Sequence, residues 1–151
     1  MLERGNEVDD QMIWTLQIKL LSGRFAEKDW AATIALRAAT SLDDLQRFIR
    51  RTLDFDDDHL HTFYIARTPW GQARYGAEVG GGLFSPTLES LYPLPKGRKL
   101  FYLFDYGDNW IFQITRTRKK PFEAEPGIDY PRLISEIGER PEQYPKLAFS
   151  I

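Results

Sequence analysis

The sequence predicts an α+β fold: a mixed or mostly antiparallel sheet in ββαβ order, then a β-hairpin, with a helix over 42–53 covering one face. Three observations carry this. Two early segments alternate apolar and polar residues, one later segment has helical spacing behind a capping serine, and a short glycine-bearing turn separates two aromatic runs. At 151 residues the chain is expected to be one domain over 11–151 behind a flexible tail over 1–10.

The first element is "MIWTLQIKLL". Met12, Trp14, Leu16, Ile18 and Leu20 share one face, while Thr15, Gln17 and Lys19 take the other, which is a strand with one buried face. "SGRFAEKD" turns the chain, and "WAATIALRA" alternates again through Trp30, Ala32, Ile34 and Leu36. Two such runs joined by a polar, glycine-bearing connection form an antiparallel pair.

At Ser41 the period changes. "SLDD" has the Ser-x-x-acid form of a capping box, and acids in the first turn suit the helix dipole. Leu42, Leu45, Phe48, Ile49 and Leu53 follow at helical spacing, and Arg50 and Arg51 fall near the C-terminus, where cations are favoured. A third strand is expected from about His59 to Arg67, then an irregular glycine-rich stretch to Gly82. "KLFYLFD" and "WIFQITRTR" are two further strands, with "YGDN" between them as a tight turn. "PFEAEPG" reads as a linker and "PRLISEIG" as a short C-terminal helix, with Pro131 at its first position and Gly138 as its stop. The proline-broken tail is expected to pack as an extended arm. Leu16, Ile18, Ile34, Leu45, Phe48, Ile49, Phe104 and Phe112 are the expected core.

There is no cysteine, which excludes disulfides, thiolate zinc sites and cysteine nucleophiles. The N-terminus is polar and acidic, and no run approaches the ~18 apolar residues of a membrane span, so a cytoplasmic protein with no membrane partner is expected. No G-x-S-x-G, H-E-x-x-H or nucleotide-binding fingerprint is present. The net charge of −2 is unevenly spread. Between Lys96 and Lys120 the bases Lys96, Arg98, Lys99, Arg116, Arg118, Lys119 and Lys120 face only Asp105 and Asp108. Those bases either solvate two strand ends or form an anion patch able to bind nucleic acid weakly.

The candidate polar site is His59, His61, Asp105 and Asp108. Positions i and i+2 of a strand project from one face ~6.5–7 Å apart, close enough for two imidazoles to share a divalent metal. Asp56, Asp57 and Asp58 precede the histidines, and the hairpin carboxylates could complete such a site if the hairpin lies beside the third strand. Tyr102, Tyr106 and Trp110 are the candidate walls of a pocket around it. The bland alternative is that the two aspartates only turn the chain, Asp108 accepting bonds from turn amides.

"LQIKL", "LDDLQRFIRRTLDFDDDHLHTFYI", "FYLFDYGDNWIFQI" and "YPRLISEIGERPEQYP", in that order and spacing, resemble the plasmid pRiA ORF-three-like family over nearly the whole chain after the first ten residues. The resemblance implies a compact α+β domain of a kind often encoded on plasmids or near mobile elements, with no activity attached. The chain departs from the family pattern at Gln46 and Phe112, where the resemblance implies histidine. That weakens an inherited enzymatic role. The leading expectation is therefore a non-catalytic binding or accessory domain that needs no cofactor and serves a protein partner. The alternative is a metal-dependent hydrolase or nuclease using His59, His61, Asp105 and Asp108.

Overall fold

The computed structural model of the chain describes residues 12–56, 59–71, 77–80 and 85–145. Its elements are β1 (Met12–Ser22), β2 (Trp30–Arg37), α1 (Leu42–Leu53), β3 (His61–Ala66), α2 (Leu88–Leu91), β4 (Lys99–Phe104), β5 (Trp110–Arg116), β6 (Phe122–Glu123) and β7 (Arg132–Gly138). The strands form one sheet in the order β3-β4-β5-β1-β2-β7, with β6 paired to the start of β1. The pairings are antiparallel, so the α+β arrangement is a mostly antiparallel sheet with few helices.

β1 is central because it is long and apolar enough to be flanked on both edges. Its Ile18 lies opposite Ala32 of β2 on one side and Ile114 of β5 on the other. Leu16, Ile18, Trp30, Ile34, Tyr102, Phe104 and Phe112 share one cluster with Leu42, Leu45, Ile49 and Leu53 of α1. A smaller cluster of Tyr64, Phe101, Leu103 and Ile111 forms from the alternate residues of β3, β4 and β5. Those two clusters are the two sides of one pleat, which is why β4 is buried along almost its whole length. Of the expected core, Phe48 alone is only partly buried, packed at the edge of the main cluster.

α1 begins where the sequence indicates. The Ser41 hydroxyl accepts from the Asp44 amide at 3.1 Å, and the helix ends in a left-handed Asp54. Gly23, after β1, has no room for a side chain, because the Trp110 ring occupies the place a Cβ would take. The third strand is shorter than expected, starting at His61, so His59 precedes it. Ala77 and Val79 extend the sheet beyond β3 through bonds to Ile65 and Phe63.

Two segments differ from the sequence reading. The expected linker contains β6, which pairs Phe122 with Ile13. The expected C-terminal helix is β7, pairing along β2 from Arg132 opposite Ala35 to Gly138 opposite Trp30. Leu133, Ile134 and Ile137 are spaced as on a helix, but the free edge of β2 offers a row of backbone partners, and tertiary pairing outweighs a weak local preference. Gly138 (φ +85°) ends the strand against the Asp29 carbonyl, where no other residue fits. The expected tail over 1–10 and the residues beyond 145 lie outside the described residues.

Candidate functional site

The antiparallel register sends the chain's functional groups to two ends of the sheet. One end carries the β4–β5 hairpin and the start of β3, and the other carries the start of β4 and the end of β5.

At the hairpin end, Asp105 adopts φ +59° and is 8% exposed. Its Oδ1 accepts from the amides of Gly107 at 3.1 Å and Asp108 at 3.3 Å, and its own amide donates to the Leu60 carbonyl. Of the two aspartates, Asp105 rather than the expected Asp108 therefore takes the turn conformation, with Asn109 (φ +52°) left-handed at the other end of the turn. Asp108 instead pairs with Arg24 at 3.6 Å, tying the β1–β2 loop to the hairpin. The remaining oxygen of Asp105 lies 3.6 Å from His59 Nδ1. The other ring nitrogen of His59 lies 2.7 Å from the Tyr144 hydroxyl and 3.4 Å from Asp56. Gln143 closes this corner, accepting from the Asp56 amide and donating to its carboxylate.

His61 stands apart from that network. Its ring contacts Phe63 and Tyr102, and burial, reinforced by the nearby Arg50 guanidinium, lowers its pKa. The two positions where histidine was implied, Gln46 and Phe112, both touch the same Tyr102: the Tyr102 hydroxyl donates to Gln46 at 3.2 Å, and its ring stacks on Phe112. Among the described residues no three carboxylate or imidazole groups converge as metal ligands. The reason is visible at His59, whose two nitrogens address Asp105 and Asp56 in different directions. Tyr102 and Trp110, expected as pocket walls, are fully buried in the core, and Tyr106 is exposed. No open concave surface forms from those three.

At the opposite end, part of the basic segment does converge. Arg98 and Lys99 at the start of β4 and Arg116 at the end of β5 line a cavity of about 510 Å³. Lys96, Arg118, Lys119 and Lys120 do not line it, and Lys119 instead lies over the Phe122 ring. The apolar walls are Trp14, Tyr92, Pro93, Leu94 and Ile114, and Glu89 also reaches the lining. Arg116 lies over Trp14, its guanidinium carbon 3.7 Å from the ring centroid, and Tyr92 meets the same indole edge-on at 5.5 Å.

The Tyr92 hydroxyl is buried with no hydrogen-bond partner among the described residues. Burial pushes its pKa up to about 12, against the opposing pull of Arg116, so it stays a neutral donor at physiological pH. The bases of this site were legible as a charged segment. Trp14 and Tyr92 were not, because only the fold brings the start of β1 against the segment after α2.

No curated protein matches the sequence. Among solved structures, a protein of unknown function from Methanosarcina mazei Go1 superposes with a TM-score of 0.64 at 19% identity, covering 83% of this chain and 68% of that one. At that identity the likeness is one of fold. A family profile described as plasmid pRiA4b ORF-3-like protein matches residues 14–143, from the first strand to the glutamine that clamps Asp56. The chain belongs to the plasmid pRiA4b ORF-3-like protein family.

Proposed function

We propose that this chain is a non-catalytic binding domain and that the cavity between Trp14, Tyr92 and Arg116 is its ligand site. The ligand is a small molecule with an apolar body and an anionic head. Any reaction belongs to the protein partner that the domain serves.

The buried, unpartnered Tyr92 hydroxyl carries this reading. A buried donor left without an acceptor costs about 1–3 kcal/mol, and because the Tyr92 ring lines the cavity, a small turn of it would offer the hydroxyl to a ligand oxygen. The indole beneath Arg116 holds its guanidinium at the cavity wall before a ligand arrives. Arg98 and Lys99 add positive charge at the same mouth. An apolar cavity with a few convergent polar groups is the usual form of a small-molecule site.

The test uses 1-anilinonaphthalene-8-sulfonate, which joins an aromatic body to a sulfonate. Fluorescence titration of the native chain should show saturable binding. Arg116→Met and Tyr92→Phe should each weaken it, while Tyr92→Phe leaves the unfolding midpoint unchanged or higher, since no bond is lost. Equal binding by both variants and the parent chain would reject this pocket as the site.

A further inference from the structure

A second cavity, of about 700 Å³, lies between the end of β2 and α1. Four arginines line it: Arg37 from the end of β2, and Arg47, Arg50 and Arg51 from α1. Among the described residues only two acids, Asp44 and Asp56, reach the same lining, so its described part carries an excess of two positive charges. Asp56 is turned toward Gln143 and His59. Arg47 is paired with Asp43 at 3.0 Å. Arg37, Arg50 and Arg51 make no ion pair among the described residues.

Arg50 is the informative member. It is 8% exposed, with its guanidinium carbon 5.7 Å from the centre of the Phe104 ring, and its Nε is buried without an acceptor among the described residues. Placing cations in the last turn of a helix favours the dipole, which accounts for Arg50 and Arg51 being there at all. It does not account for burying one of them unpaired, nor for a third arginine arriving from a different element. Arg37 is held against Tyr130, 5.8 Å from its ring centroid. Like charges gathered at a low-dielectric wall repel one another unless an anion joins them.

We propose that this cavity is a second binding site, independent of the Trp14 pocket, for a multivalent phosphate group on a small molecule. Arginine forks pair bidentately with phosphate oxygens, and a group with two or more charges offsets the excess that the lining carries.

The probe is inorganic diphosphate, titrated calorimetrically into the full chain at moderate salt, with acetate as a monovalent control. One saturable diphosphate site is expected, with no measurable acetate binding. Arg37→Met with Arg51→Met should weaken diphosphate by about tenfold or more, the loss of at least one charge-assisted hydrogen bond. Both are surface-reaching positions, so the double variant is expected to keep the parent's circular dichroism and unfolding midpoint, whereas Arg50→Met removes packing as well. Arg116→Met should leave diphosphate binding unchanged, which separates this site from the proposed ligand pocket. Absence of diphosphate binding, equal binding by the double variant, or loss in Arg116→Met would each overturn the assignment.

Discussion

Substituting Asp105 separates the two things this residue does in the hairpin. Its backbone is left-handed at φ +59°, and its Oδ1 accepts from two turn amides. Asp105→Ala removes both acceptors and forces an alanine into a conformation that costs it about 1–2 kcal/mol. Two part-buried donors lose their partner, and water can reach some of that deficit, so about 1–2 kcal/mol more is a fair share. The total is about 2–4 kcal/mol. Asp105→Asn keeps an acceptor oxygen and tolerates the left-handed region, so it should cost less than about 1 kcal/mol. Asp105→Gly frees the backbone but supplies no acceptor, and should fall between the two.

The assay is urea unfolding at neutral pH, comparing midpoints at constant m. The order Asn, Gly, Ala in rising cost is the signature of a residue that turns the chain. An asparagine variant as unstable as alanine would refute this, because it would assign the stability to the negative charge beside His59 instead.

Three other outcomes follow from the same geometry. Leu45→Ala, at a fully buried position between α1 and the sheet, should cost about 2–5 kcal/mol in the same assay, and a near-neutral result would contradict the packing. His61 has a pKa below its ordinary 6.5 in the folded chain, so the unfolded chain binds the extra proton first as pH falls. Its contribution is intact above 6.5 and is lost as pH falls through the lowered folded value, so His61→Gln should flatten the decline in unfolding midpoint between neutral and mildly acidic pH. Zinc or manganese titration should give no stoichiometric uptake, because His59 and His61 address different partners; uptake abolished by His61→Ala would restore the metal-dependent reading.

Local chemistry accounts for what the sequence showed plainly. α1 was legible because its start and stop are written within a few residues, in the Ser41 cap, the two first-turn acids and the stripe from Leu42 to Leu53. The hairpin was legible for the same reason, although the role assigned to Asp108 belongs to Asp105. Both are short and polar, and only the observed φ distinguishes which one turns. β7 was hidden because its identity is decided by the free edge of β2, far away in the chain. The site divides in the same way. The clustering of Arg98, Lys99 and Arg116 follows from a charge count plus an antiparallel register. Trp14 and Tyr92 need the whole sheet, since each reads locally as an ordinary core or loop aromatic. Tyr102 and Trp110 were misplaced because an aromatic beside a turn can face either outward or inward, and here β4 and β5 are buried on both faces.

The ligand pocket is tested most directly at the indole that forms its floor. The chain has four tryptophans, Trp14, Trp30, Trp70 and Trp110, each giving one ¹⁵N-indole resonance. Trp14 lines the cavity, Trp30 and Trp110 are buried in the core, and Trp70 is exposed. On titration with 1-anilinonaphthalene-8-sulfonate, the Trp14 signal should shift in a saturable way while the other three stay fixed, and Arg116→Met should diminish the shift. A shift confined to Trp70, or no shift at Trp14 while the dye binds, would place the ligand elsewhere and contradict the account.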